Sequence, residues 1–90
     1  MITAVTISNP LGMHVRASSA LVVCASKFIS EVTLHVGNQR IDAKRILAVM
    51  SSGLSYGDAL KIEVIGEDEV GATQALVELF ATGFGELPPK

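Results

Sequence analysis

Apolar residues change their spacing several times along the chain, and each change predicts an element. Residues 2–7 (Ile2 to Ile7) are rich in β-branched side chains and half-alternating, the pattern of a strand. Ser8-Asn9-Pro10 ends that strand, because asparagine bonds its own backbone and proline fixes φ. Gly12 extends the loop as far as His14. From Ala17 the period lengthens. Ala17, Ala20, Leu21, Cys24, Ala25 and Phe28 fall on one helical face, which predicts a helix beginning around Val15–Ala17 and ending near Lys27. Val32, Leu34 and Val36 then alternate with Thr33 and His35 as a second strand. Gly37-Asn38 reverses the chain, and Gln39 to Ala43 return as the other arm of a hairpin.

A short helical segment follows over Lys44 to Ser52, closed by Gly53. Ser55-Tyr56-Gly57-Asp58 reads as a turn, and Leu60, Ile62 and Val64 against Lys61 and Glu63 as the last strand. Gly66 breaks that strand. Glu67-Asp68-Glu69 open a final helix with three carboxylates at its positive end. Its buried stripe is Ala72, Ala75, Leu76, Leu79 and Phe80, and Gly83 closes it. The order β-α-β-β-α-β-α predicts an α+β open-faced two-layer sandwich, a four-stranded antiparallel sheet with three helices on one face. Residues 1–90 are expected to form one domain, with residues 85–90 a flexible tail.

Composition narrows the picture in two ways. Four aromatic residues (Phe28, Tyr56, Phe80 and Phe84) leave an aliphatic core. A net charge of −2 argues against nucleic-acid binding, which rests on a strongly basic face. The local cluster Arg40, Lys44 and Arg45 survives that argument and suits an acidic protein partner or a solvated turn. Cys24 is the lone cysteine, which fits a reducing compartment. With no signal-peptide pattern at Met1-Ile2-Thr3-Ala4 and no run of ~20 apolar residues, a cytoplasmic protein without membrane insertion is expected.

Candidate chemistry concentrates in Gly12-Met13-His14-Val15-Arg16-Ala17-Ser18. A histidine stands immediately before a predicted helix, with an arginine two residues on. Unpaired N–H groups and the positive dipole end make a helix start an anion site. The same field disfavours a cationic ring there and favours the neutral, nucleophilic one. A phosphoryl group on that ring would meet the backbone N–H groups of Val15, Arg16 and Ala17 and a guanidinium fork able to bind two oxygens. Spacing by itself also fits an inert surface histidine beside a helix-start arginine. His35 alternates outward on a strand and is expected to be solvated. Cys24 lies on the buried helical stripe and reads as core. Glu67, Asp68 and Glu69 read as helix-start charges, with no metal site and no cofactor expected.

Gly12-Met13-His14-Val15-Arg16 resembles the active-site loop of the histidine-containing phosphocarrier (HPr) family of the phosphoenolpyruvate-dependent phosphotransferase system. The similarity runs from about Val5 to Phe84, through Ala25-Ser26-Lys27-Phe28, Lys44-Arg45-Ile46-Leu47-Ala48-Val49-Met50-Ser51 and Gly66-Glu67-Asp68-Glu69. The resemblance implies that His14 takes phosphate on Nδ1 from enzyme I and passes it to an enzyme IIA-type protein, with Arg16 assisting. It implies a monomeric carrier rather than an enzyme. The alternative is a regulatory docking module of the same fold that binds a transcription factor or an enzyme.

Three departures stand out. Ala17 replaces the usual proline, losing stiffness and gaining an N–H donor. Arg45 occupies the regulatory serine position of many relatives, so a switch there is absent. Leu79-Phe80-Ala81-Thr82-Gly83-Phe84 is similar to the nitrogen-branch paralogue rather than to the sugar-branch protein. Ile46, Leu47, Val49 and Met50 span more of the helix than one buried stripe needs, which predicts exposed docking groups. Leu47 and Met50 fall on the family's partner-contact positions; Val23 joins them, with Lys44 and Arg45 as a basic rim.

Overall fold

The computed structural model describes residues 1–86. In order, β1 is Ile2–Thr6, α1 Val15–Ser26, β2 Glu31–Val36, β3 Gln39–Asp42, α2 Ile46–Met50, β4 Ala59–Ile65 and α3 Glu69–Ala81. The sheet is wholly antiparallel, in the order β1-β4-β2-β3. β4 is therefore central, pairing Leu60 with Val5 of β1 and Ile62 with Leu34 of β2. Alternation decides the layering: Val5, Val32, Leu34, Ile41, Leu60, Ile62 and Val64 are buried, whereas Ala4, Lys61 and Arg40 face out. The three helices cover the buried face and leave the other open, which is the predicted open-faced sandwich. From α1 the core takes Ala17, Leu21 and Ala25, and from α3 Ala72, Leu76 and Phe80. Ala20, Cys24 and Phe28, expected on the buried stripe, are only half-buried at its margin.

Two helices begin later than the periodicity predicts. α2 starts at Ile46 rather than Lys44, because Asp42 Oδ1 accepts the Lys44 N–H (2.9 Å) and Arg45 stays extended at φ −115°, ψ 107°. α3 starts at Glu69 because Asp68 is committed elsewhere. Its carboxylate accepts the backbone N–H groups of Ile29 (2.9 Å) and Ser30 (3.0 Å) and the Ser30 hydroxyl (2.5 Å), and does not cap its own helix. Of the three acidic residues expected at the helix start, only Glu69 lies in the first turn. Gly66 allows this closure: a Cβ there would lie 2.7 Å from Ser30 Cα and 2.5 Å from Ser30 Oγ.

The Ser30 hydroxyl bond, against an opposing push from burial and helped by the two amides, holds the Asp68 carboxyl below its ordinary 3.8. A carboxyl lowered by folding contributes stability that is complete above its unfolded value and is lost as pH falls through the folded one. The melting temperature is thus expected to fall as acid titrates this group below pH 3.8. Asp68→Asn should lower the melting temperature at neutral pH and flatten that acid decline. An unchanged acid slope in a thermal scan series would remove Asp68 from the account.

Candidate phosphoryl-acceptor site

His14 is placed by the loop before it. Gly12 takes φ +66°, and a Cβ there would lie 2.9 Å from the Leu54 carbonyl oxygen, so a side chain would be both strained and crowded. Next to it, the Met13 N–H donates to that same Leu54 carbonyl at 3.1 Å, which ties the loop to the segment after α2. Met13 is buried, and its carbonyl accepts the hydroxyl of buried Ser18 (3.2 Å). His14 is the N-cap of α1: its carbonyl takes the Ser18 N–H at 2.9 Å, and its Nδ1 accepts the Arg16 N–H at 3.3 Å. Val15, Arg16 and Ala17 are consequently the first three helical residues, whose N–H groups have no partner within the helix.

The hydrogen bonds also determine the ring's tautomer. An Nδ1 that accepts the Arg16 N–H carries a lone pair, so the proton of the neutral ring lies on Nε2. There it meets Glu86 Oε2 at 2.5 Å. The ring is 29 % exposed, more enclosed than a surface histidine, and Glu86 is 12 % exposed. Glu86 Oε1 in turn accepts from Nδ2 of Asn9 (3.0 Å), whose amide is fully buried and also donates to the Gly12 carbonyl at 2.7 Å. Burial would raise the Glu86 carboxyl, but hydrogen bonds from Asn9 and His14, with the charges of His14 and Arg16, hold it below the ordinary carboxylate range.

Arg16 is exposed and lines a shallow recess of about 360 Å³ with Pro10, Leu11, His14, Gly85 and Glu86. The recess gathers the His14 ring, the Arg16 side chain and the Glu86 carboxylate, and the Arg16 N–H at the start of α1 lies against Nδ1. Neither Asn9 nor Glu86 is identifiable as a site residue from the sequence. Asn9 reads there as a turn residue, and Glu86, 72 positions from His14, carries no local signal at all. The tail expectation for residues 85–90 meets this finding directly: Gly85 and Glu86 form backbone turn bonds to Thr82 (3.2 Å) and Gly83 (3.0 Å), while residues 87–90 lie outside the described residues.

The chain matches the family model described as "PTS HPr component phosphorylation site" over residues 2–82. It belongs to the HPr family. It is 43 % identical over 81 residues to the phosphocarrier protein HPr of Xylella fastidiosa (strain Temecula1), covering 90 % of this chain and 91 % of that protein. To HPr of Cupriavidus necator the identity is 41 % over 81 residues, covering 90 % and 91 %. The crystal structure of HPr-C-His from Thermoanaerobacter tengcongensis superposes with a TM-score of 0.91 at 37 % identity, covering 96 % of this chain and 97 % of that one. Membership of the HPr family is thereby established for a chain whose recess is lined by a histidine at a helix start.

Around the HPr-type loop the apolar residues divide as expected in part. Leu47 is 75 % exposed and Met50 and Ile46 are exposed too, whereas Val49 is buried, so α2 is not buried on two sides. Val23 is exposed on α1, which packs against α2. Exposed Leu11 and Val15 flank His14 directly; Leu11 carries no sequence signal for the site, and Val15 is expected there only for its backbone N–H. Arg45 is exposed, as a rim charge must be. Lys44 is a correction: it is half-buried, and its Nζ donates to the Phe28 carbonyl at 2.8 Å. This ammonium ties the segment leading into α2 to the chain just after α1. His35 is a second correction. It is half-buried rather than solvated, with Nε2 2.9 Å from Glu63 Oε1 on the open face of the sheet. Cys24 is half-buried as well, and burial raises its thiol pKa, which suits packing better than reactivity. Among the described residues there is no cluster of histidine, cysteine and carboxylate groups able to hold a metal, and no helix long and apolar enough to cross a membrane.

Proposed function

We propose that this HPr-family chain carries a phosphoryl group on His14 Nδ1, received from enzyme I and passed to a histidine of an enzyme IIA-type protein in the cytoplasm. The observation supporting this most strongly is the direction of the Nδ1 lone pair, which faces the Arg16 N–H at the start of α1. On phosphorylation the phosphoryl oxygens would take over the N–H groups of Arg16 and Ala17, and the Arg16 guanidinium would offset their charge. Ala17 contributes here what proline could not, an N–H at the third helical position. No cofactor is required, because the nucleophile, the anion donors and the counter-charge all come from the chain. Charging the protein with labelled phosphoenolpyruvate and enzyme I should give an acid-labile, base-stable phosphoramidate. Absence of such label would refute the reading.

Docking is assigned to Leu47, Met50 and Val23, with Arg45 at the rim. Exposed apolar anchors supply most of the energy of a small interface, and rim charges act mainly on association rate. Leu47→Asp is expected to weaken binding to enzyme I and to the acceptor by about tenfold or more, the effect of losing at least ~1.4 kcal/mol at an anchor. Because Leu47 is 75 % exposed, its melting temperature should stay within a few degrees of wild type. Titration calorimetry beside a thermal scan checks both, and a large melting loss would return Leu47 to the core.

A further inference from the structure

The carboxylate on the far side of the His14 ring is held there by more structure than a chain-end surface residue requires. After α3 the chain turns through Gly83 (φ +61°), Phe84 (φ +58°) and Gly85 (φ +80°). Phe84 is the one non-glycine among the described residues in this left-handed region, a conformation that a bulky side chain adopts at a cost. The cost is offset in the core: Phe84 is buried and packs edge-on against Phe80, with ring centroids 4.8 Å apart and planes at 62°. Its N–H donates to the Leu79 carbonyl at 2.9 Å. The result of this turn is to bring Glu86 back to His14, where buried Asn9 fixes its second oxygen.

We propose that Glu86 is a positioning residue for phosphoryl transfer, holding the Nε2 proton of His14 so that Nδ1 is the nitrogen that takes and gives the phosphoryl group. The proposal rests on the reading of His14 as phosphoryl carrier and adds a residue to it. In the forward step the Nδ1 lone pair forms a bond to the phosphorus of a phosphohistidine on the donor protein. The donor's N–P bond breaks, and its electron pair returns to the donor ring. The His14 ring keeps its Nε2 proton and becomes a phosphoimidazolium, whose positive charge lies against the Glu86 carboxylate. No proton leaves the ring, and donation to the acceptor reverses the same sequence. A carboxylate beside Nδ1 would repel the incoming phosphoryl oxygens. On Nε2 it is separated from them by the ring, and Arg16, two residues along the chain, supplies the positive charge of the site. A carboxylate on the second nitrogen of a histidine whose first nitrogen binds an electrophile is a recurrent arrangement; it fixes the tautomer and raises the basicity of the binding nitrogen.

The test compares wild type, Glu86→Gln and Glu86→Ala as full chains. Rapid-quench transfer from phosphorylated enzyme I is read together with ¹⁵N spectra of the His14 ring. Glu86→Ala is expected to lower kcat for transfer about 10- to 100-fold, the usual loss for removing such a carboxylate, with KM for enzyme I unchanged. Its ring spectrum should gain the Nδ1–H tautomer. Glu86→Gln keeps an oxygen for the Nε2 proton but no charge, so it should keep the wild-type tautomer and transfer at an intermediate rate. Wild-type kcat and ring spectrum in Glu86→Ala would overturn the assignment. Faster transfer in that variant would overturn it too, and would make Glu86 a latch that shields the ring. If wild type itself takes no label on His14, the carrier reading fails and the role of Glu86 falls with it. Labelled wild type beside an indifferent Glu86→Ala removes Glu86 alone.

Discussion

His14→Ala is expected to eliminate phosphoryl labelling while leaving a folded protein. The recess contains one nitrogen nucleophile, Nδ1 of His14, and its other groups are a guanidinium, a carboxylate and apolar side chains. The second histidine offers no substitute. His35 lies on the open face of the sheet, on the side away from the helices, with its Nε2 engaged by Glu63. The substitution does have a structural consequence, because His14 is the N-cap of α1 and is not a free surface side chain. Losing a cap costs about 0.5–2 kcal/mol. The long 3.3 Å contact places this cap toward the lower end of that range. The variant should therefore melt somewhat earlier, still cooperatively, and carry no label after incubation with labelled phosphoenolpyruvate and enzyme I. Label retained at wild-type stoichiometry would assign the phosphoryl group to another residue and remove His14 from the mechanism.

Phe80→Ala is expected to be the most damaging single core truncation. Phe80 is 1 % exposed, the largest of the fully buried side chains, and sits where α3 meets the layer beneath. Truncating a buried phenylalanine to alanine costs about 3–5 kcal/mol, against a total stability of about 5–15 kcal/mol for a domain. At roughly 4–8 °C per kcal/mol for a chain this size, the melting temperature should fall by about 12 °C or more. The damage reaches the site by a defined route. Phe84 loses the ring it packs against, the left-handed turn loses what offsets its strain, and Glu86 loses its placement beside His14. Thermal unfolding followed by circular dichroism measures the first effect, and the ¹⁵N ring spectrum of His14 the second. A melting loss of only one or two degrees would mean that the Phe84 turn stands without the core. Phe80→Leu, which keeps most of the buried volume, should fall well short of the alanine effect.

Seven elements, the α+β sandwich and the loop that carries His14 are all legible along the chain. These are local properties. Alternation and helical periodicity report which residues face the core, and the helix-start chemistry of His14, Val15, Arg16 and Ala17 is complete within four consecutive positions. Exposure of Leu47 and Met50 is legible for the same reason, since apolar residues spread over more of a short helix than one buried stripe needs must leave some outside. Tertiary structure alone decided what depends on segments distant in the chain. The strand order β1-β4-β2-β3 has no local signature, because alternation shows that a strand has a buried face but not which strand lies beside it. The starts of α2 and α3 shifted because Asp42 and Asp68 bind amides outside their helices, and helix signals cannot anticipate competing partners. Lys44 reads in sequence as a free surface charge, yet the packing of α2 beside α1 brings the Phe28 carbonyl within its reach. The second half of the site is of this kind too. Asn9, His14 and Glu86 meet because Phe84 packs on Phe80, and a contact between residues 72 positions apart is set by the packing of the whole layer and not by any propensity of the residues that make it.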